Sequence, residues 1–441
     1  MKRVTAILAM LLLGSAATVA AETVAIVNVN VIPMTEETVL SSQTVVLSDG
    51  RIAAIGDVDD VPVPEGTELI DGTNRYLMPG LFEMHGHVTG TGDAELERLF
   101  NLFLANGVTT VRGMLGRPAH LALRDDLAAG RVFGPQLVTS GPSFNGNSVS
   151  GPSMGERMVR EQHAAGYDFL KIHPGLSADE FNAIADTANE LGIPFAGHVP
   201  VSVGVEGALD KGIATIDHLD GYMAALLPAN FDASGGYGGF FDVMLADQVE
   251  IDRLSALVAD TVAAGVGNVP TQSLFEQLVN AVPADDYGSR AEMRYMPEAT
   301  VRQWVSAKDQ TLAERGFDPA VAARAIEIRQ QLIRDLHAAG AALLLGSDAP
   351  QIFNVPGFAI HHELQFLVDA GLTPYEAIRT GTVAAAEFLG LDKGTIEVGR
   401  IADLVLLDDN PLADIANSRR VHGVLVGGRW ARSSDLLDAI R

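Results

Sequence analysis

Read for periodicity, the sequence predicts an α/β protein, a TIM (β/α)8 barrel with a small β-sandwich formed by its two ends. A βα rhythm fills the middle of the chain: a helical stretch ends in Gly, a suitable C-cap, and a short apolar strand follows at once. The units read "ANGVTTVRG", "AAGYDFLKIH", "ELGIPFAGH", "DKGIATIDH", "AAGVGNVPTQ" and "AAGAALLLGSD". "LMPGLFEMHGH" before them and "PQLVTSG" between the first two complete eight strands. Eight such units in roughly 300 residues suit a barrel that typically takes ~250. A doubly wound open sheet is less favoured, because no glycine-rich phosphate fingerprint follows the first strand.

The flanking segments differ in style. Residues 22–76 carry the β-branched runs "TVAIVNVNVIPM" and "TVVLSDGRIAAIG", punctuated by the turn dipeptides Asp49-Gly50 and Asp71-Gly72. Residues 394–441 return to that style in "GTIEVGRIADLVLLDDNP" and "VHGVLVGGRWAR", the latter turning at Gly427-Gly428. The expected organisation is a signal segment at 1–21, a β-sandwich from 22–76 and 394–441, and a catalytic barrel over 77–393.

Lys2 and Arg3 precede the apolar run "AILAMLLLGSAATVA", and small residues stand at Val19 and Ala21. That pattern reads as a secretory signal cleaved after Ala21, and it is short of the ~20 apolar residues of a membrane anchor. The mature chain is expected to be periplasmic or secreted, with no membrane attachment once the signal is gone. With 441 residues, 47% of them hydrophobic, the chain can build a sizeable core. Cysteine is absent, so disulfides, a lipid-bearing cysteine and thiolate metal ligands are all excluded. The formal charge is −26, and −28 without Lys2 and Arg3. A surface of that sign disfavours nucleic acid and anionic membranes as partners. The expected partner is a small-molecule substrate, with homo-oligomerisation left open.

Barrel enzymes carry their chemistry at the C-terminal ends of the strands. Here those ends hold His85 and His87 on strand one, Lys171 and His173 on four, His198 on five, His218 on six and Asp348 on eight. Side chains two apart on a strand share a face, so His85 and His87 point the same way. Taken singly, each histidine is more readily a hydrogen-bonded core residue than a ligand. Together, five of the eleven histidines converge on one rim, and that convergence favours metal ligation. Others have plainer roles: His163 and His337 end helical "HAAG" stretches, where positive charge suits a helix C-terminus.

"MPGLFEMHGH", "DFLKIH", "GHVP", "TIDHLDGY", "LLLGSDAP" and the tail "GTIEVGRIADLVLLDDNPL" together resemble the amidohydrolase superfamily, in its imidazolonepropionase-like and prolidase-like branch. The resemblance spans nearly the whole mature chain. It implies that His85, His87 and Asp348 hold one divalent ion, His198 and His218 a second, and a carboxylated Lys171 bridges the two. It further implies a hydrolase, dipeptidase-like, that cleaves an amide bond of a dipeptide or N-acyl amino acid. Asp348 would be the catalytic proton carrier. Zinc suits such a histidine and carboxylate set, with manganese, cobalt and iron as alternatives. The alternative readings are hydrolysis of an ester, lactone or cyclic amide on the same centre, and a non-catalytic binding protein; all six ligand positions being filled argues against the last.

One departure stands out. Many relatives place a histidine in a glycine-rich stretch after strand three, whereas "TSGPSFNGNSVSGP" has none. Substrate contact is expected instead from His173, which shares a face with Lys171, and from Tyr222 in "HLDGY". Arg112 and His361 fit an ion pair or hydrogen bond at least as well as a substrate role. The segment 273–340 reads either as a cover over the site or as a solvated excursion. Intact-mass measurement of exported protein should find an N-terminus near Glu22; retention of Met1 would exclude the signal reading.

Overall fold

The computed structural model describes residues 23–231 and 238–441, so the expected signal segment lies outside the described residues. Five strands open this part of the chain: β1 Thr23–Val31, β2 Leu40–Ser48, β3 Arg51–Asp57, β4 Glu68–Asp71 and β5 Tyr76–Pro79. Seven follow, alternating with helices: β6 Leu81–Gly86, β7 Val108–Gly113, β8 Gln136–Thr139, β9 Leu170–Ile172, β10 Phe195–Gly197, β11 Thr215–Asp217 and β12 Gly267–Val269. Three close the chain: β13 Leu404–Leu407, β14 Val421–Val426 and β15 Arg429–Arg432.

Both ends of the chain enter one sheet, in the order β15-β14-β13-β5-β1-β2-β3, with β4 also on β1. The expected turns at Asp49-Gly50 and Gly427-Gly428 join β2 to β3 and β14 to β15. β5 is the seam: it runs parallel to β1 and antiparallel to β13, pairing Pro79 with Leu404 and Tyr76 with Leu407. The amide of Ile52 donates to Arg400 O at 3.0 Å, and that of Ala402 to Gly50 O at 2.9 Å. These bonds bring β3 against the chain entering β13, so the sheet folds back over its own core. Val24, Ile26, Val45, Leu47, Leu404 and Leu425 fill that core, each worth ~1.5–3 kcal/mol of burial.

The middle strands are all parallel. They form two hydrogen-bonded sheets, β6-β7-β8 and β9-β10-β11-β12. A bridge between Ser140 and Phe169 joins the facing edges of the two sheets. On the other side the segment 343–349 lies between β12 and β6, bridging Asn268 through Leu343 and Gly86 through Ala349. Helices cover the outside. In Ala178–Leu191, Phe181, Ile184, Ala185 and Ala188 form the buried stripe, and a Ser177–Glu180 capping box starts the helix. The long helix Pro319–Ala338 starts from an Asp318 cap and buries Ala322, Ala325, Ile328, Leu332 and Leu336. Among the described residues no helix is long and apolar enough to cross a membrane.

The expected eighth strand, "ALLLGSD", is not a continuous ladder. Leu344 N bonds to Asn268 O, but Leu345 N turns to Thr380 O, and Ser347 N is taken by a side chain. That side chain is Glu83, fully buried in β6. Its Oε1 accepts from His85 N at 3.0 Å and from Ser347 N at 2.8 Å, while Oε2 meets the Ser347 hydroxyl. Gly346 makes the approach feasible: a Cβ there would lie 2.8 Å from His85 N and 2.6 Å from Val269 Cγ1. A buried carboxyl thus replaces the missing rungs between strand one and segment 343–349.

Burial pushes the Glu83 carboxyl up to about 8, against the pull of its hydrogen bonds to Ser347 and His85. A group whose folded pKa lies above its unfolded value stabilises the fold fully below the unfolded value. That contribution is lost as pH rises through about 8. Denaturant midpoints should therefore fall between pH 5 and pH 8.5 more steeply in the wild type than in Glu83→Gln. Equal slopes would mean that Glu83 is ionised throughout.

Candidate metal centre

Strand ends deliver the cluster. His85 is the penultimate residue of β6, which is buried throughout, and His87 follows the strand directly. Lys171 is the central residue of β9, His198 follows β10 and His218 follows β11. Asp348 arrives on the segment that Glu83 anchors, its amide donating to His85 O at 2.8 Å. Asp348 and His218 both adopt left-handed backbone, with φ of 61° and 64°. For non-glycine residues that conformation costs about 1–3 kcal/mol and survives only where the surroundings impose it.

Asp348 Oδ1 lies 2.6 Å from His87 Nε2 and 3.5 Å from His85 Nε2, and Oδ2 lies 3.9 Å from His218 Nδ1. One ligand atom each from His85, His87 and Asp348 falls within 4.8 Å of the others, and all three residues are buried. The rings of His85 and His218 stand 4.5 Å apart, and those of His198 and His218 4.7 Å apart. Neighbours orient the rings. His198 Nδ1 donates to Asp220 Oδ2 at 3.0 Å, and His218 Nδ1 meets Thr271 Oγ1 at 2.8 Å. Each Nε2 is thereby left as the free ring nitrogen. Arg329, buried on the helix Pro319–Ala338, donates to His218 O at 2.7 Å and Pro270 O at 3.0 Å, fixing the strained turn from behind.

The Lys171 ammonium group is wholly buried, and its Nζ makes no hydrogen bond among the described residues. Its nearest acid is Asp217, 3.7 Å away. Asp217 Oδ2 also lies 2.9 Å from His85 Nδ1 but out of line for a hydrogen bond, so both atoms share the condition of Lys171 Nζ. Gly197 opens the channel for this side chain: a Cβ there would meet Lys171 Cδ at 2.9 Å and Ile172 O at 2.4 Å. Burial first, then the positive charge of Lys171, holds His85 well below the usual imidazole range. His218 is lowered by burial and by its histidine neighbours, and Lys171 chiefly by burial. Neutral imidazoles and a neutral amine are the forms that bind cations or add carbon dioxide. The donor set therefore fits divalent ions, and three buried polar atoms without hydrogen bonds mark where partners are wanted.

A cavity of about 300 Å³ opens onto this cluster, lined by His85, His87, His173, His198, His218 and Asp348. Its other wall is apolar: Phe240, Phe241, Leu274, Leu278 and Ile352. Leu274 and Leu278 belong to the helix Gln272–Val279, and Ala307 and Thr311 of Glu298–Ala313 complete the rim. Part of the segment 273–340 does therefore cover the site.

Tyr222 must be corrected. Gly221 turns the chain with φ of 79°, sending Tyr222 into the interior rather than the cavity. It is 1% exposed, and its hydroxyl bonds Thr261 Oγ1 and Asn268 Oδ1. Arg112 is likewise structural, reaching Thr215 Oγ1 at 3.0 Å beneath the Phe169 ring. His361 bonds Ser418 Oγ at 3.0 Å, and His163 and His337 sit in the last turns of their helices. Missed from sequence were Asp217, Asp220, Thr271 and Phe241. Asp217 and Asp220 flank His218 in the quoted "TIDHLDGY", a signal that could have been taken up; Phe241 lies at a kink in the 3-10 segment Phe240–Gln248, and Thr271 precedes the helix Gln272–Val279.

Residues 76–431 match the amidohydrolase family model. The chain belongs to the amidohydrolase family. An adenine deaminase of Moorella thermoacetica is 25% identical over 402 residues, covering 87% of this chain and 53% of that protein. An ochratoxinase of Aspergillus niger is 24% identical over 417 residues, 85% of this chain and 79% of its own length. The amidohydrolase described here thus spans about half of the first relative and four fifths of the second. Among solved structures, a putative prolidase from Bifidobacterium longum superposes with a TM-score of 0.69 at 23% identity, over 95% of this chain and 99% of that one. A bottromycin amidohydrolase gives 0.71 at 24%, over 95% and 89%. These likenesses establish a shared fold.

Partners that hold a ligating imidazole by its second nitrogen typically contribute 10–100-fold in metal affinity. Asp220→Ala should weaken metal binding by about that factor in direct titration while circular dichroism stays unchanged. Unaltered affinity would show that the Asp220 contact does not orient His198.

Proposed function

We propose that this amidohydrolase is an exported, metal-dependent hydrolase of the C–N bond of a small substrate, such as a dipeptide or N-acyl amino acid. The observation that carries the reading is the convergence of His85, His87 and Asp348 beside the buried Lys171 amine, which makes no hydrogen bond among the described residues. His85, His87 and Asp348 would hold one divalent ion, His198 and His218 the other, with zinc favoured for a thiol-free set. When bound, such ions supply a water of lowered pKa and a polarised substrate carbonyl.

The protein's own residues do the rest. The Lys171 amine in its neutral form adds carbon dioxide and releases one proton to solvent, becoming an anionic carbamate with two oxygens; an anion then stands beside the ions where an ammonium would be repelled. Asp348 takes a proton from the attacking water and delivers it to the departing nitrogen, so that amide and water become acid and amine. Asp348 lines the cavity, with its amide tied to His85 O, so its carboxylate stands where such a transfer would take place. His173, lining the same cavity, is the polar ring free to meet substrate.

In this reading the two parallel sheets and segment 343–349 are arcs of one closed barrel, and the sheet shared by the termini is the accompanying sandwich. The bridges at Ser140–Phe169, Asn268–Leu343 and Gly86–Ala349 support that closure. Export rests on Lys2, Arg3 and the apolar run that follows.

Chelation should abolish hydrolysis until a divalent ion is returned, and Lys171→Ala should lose metal and activity together. Asp348→Asn that retains metal should lower kcat by about 10²–10⁴-fold, the range for a positioned proton carrier. Wild-type turnover in that variant would remove Asp348 from the reaction.

A further inference from the structure

The cavity wall facing the histidines carries chemistry that the reaction does not need. Phe241 lies nearly parallel to His198 and His218, at interplanar angles of 18° and 20° and centroid distances of 6.1 and 5.1 Å. Phe240 packs against it at 4.3 Å and 58°, so the two rings form a corner directly beside the ligand cluster. Phe241 and Asp242 both adopt left-handed backbone, with φ of 48° and 57°. Leu274, Leu278 and Ile352 continue the apolar surface.

The same cavity is poor in charge of the sign a substrate acid would want. Among the described residues that line it, none is Arg or Lys. Lys171 stands behind, in β9, committed to the ions in the reading above. Tyr222, the other donor expected for a carboxylate, is turned away into the core. A carboxylate seated on the leucine and phenylalanine wall, away from the ligand cluster and from the neutral donors His173 and Gln351, would lose its hydration without a charged partner, a costly exchange. A flat apolar group seated there gains burial and ring contacts.

Resting on the proposed C–N hydrolysis, we infer that the site selects an uncharged amide carrying an aromatic group, which packs in the Phe240–Phe241 corner. This narrows the proposed class: of dipeptides and N-acyl amino acids, the forms whose carboxylate is capped are the better substrates. The preferred substrate is a capped acyl amino acid of the carboxamide kind, and the free acid is the poorer one. Phe241 is then a specificity-determining residue.

The test compares metal-loaded wild type on N-benzoylglycinamide, N-benzoylglycine and N-acetylglycinamide, measuring release of the benzoate or acetate. The carboxamide should exceed the acid in kcat/KM by about ten-fold or more, as expected for a site without a partner for the charge. Phe241→Ala should lower kcat/KM about ten-fold for the benzoyl carboxamide and far less for the acetyl one. Phe241→Leu, which keeps apolar volume, covers the case in which the alanine variant does not fold; it should lose the benzoyl preference in part. Thr311→Arg, adding a cation at the rim, should move the preference toward the acid. An acid hydrolysed as well as its carboxamide, or equal losses on benzoyl and acetyl substrates, overturns the inference. If metal is bound and no amide is cleaved, the C–N reading fails instead, and binding decides the substrate class. N-benzylacetamide should then raise the melting temperature of wild type but not of Phe241→Ala; no stabilisation of wild type overturns the aromatic site as well.

Discussion

The buried carboxyl of Glu83 holds together the two parts of the chain that meet at the site. It takes the amides of His85 and Ser347 at once. Asp348 follows Ser347 directly, and His87 follows His85 by two residues, so one side chain sets the separation of three others. The Ser347 carbonyl is in turn held by Asn354, which also bonds Gln277 of the covering helix. Removing Glu83 would leave two buried amides without acceptors, each costing about 1–3 kcal/mol. The irregular eighth segment thus keeps its backbone satisfied where a regular strand would place Asp348 less freely.

Around that anchor the interior is tuned toward neutral donors. Burial disfavours charge on His85, His218 and Lys171 together; cationic neighbours deepen that penalty, and nearby acids such as Asp217 partly offset it for Lys171 and His218. The outward nitrogens of His198 and His218 are occupied by Asp220 and Thr271, which sets the rings without adding charge inside the cavity. The covering helices are fixed by similar means. Glu363 accepts the amides of Gln272 and Ser273 at the start of one, and Lys308 of the other donates to Gln277 O and Asn280 O at its end.

How far this was legible in the sequence depended on periodicity. Helices ending at Gly166, Gly192 and Gly265 and the short apolar strands after them repeat locally, so the βα order and the strand ends could be read. His85, His87, His198 and His218 stand at or just past strand ends; Lys171 lies within β9 and Asp348 on the segment beside β6, and His85, His87 and Asp348 form one cluster. Tyr222 could not be read, because a single left-handed glycine decides whether the residue after it faces cavity or core. Phe241 lies at the kink of a 3-10 segment and Thr271 at a helix start, and the left-handed backbone of both has no periodic signal in the sequence. Glu83 stood in plain view between Phe82 and Met84, but only the geometry of a distant segment shows what it binds.

β5 finds its parallel neighbour β1 early, but its antiparallel neighbour β13 lies at Leu404–Leu407. A nascent chain therefore cannot finish its first sheet until Leu404–Leu407 have been synthesised. Long sequence separation between paired strands slows folding, because loop-closure entropy must be overcome before the pairing stabilises anything. Until β13 arrives, the edge of β5 is an open row of amides and carbonyls able to recruit a foreign strand. Chains cut short before Leu404 should thus be driven toward aggregates rather than toward a smaller stable enzyme.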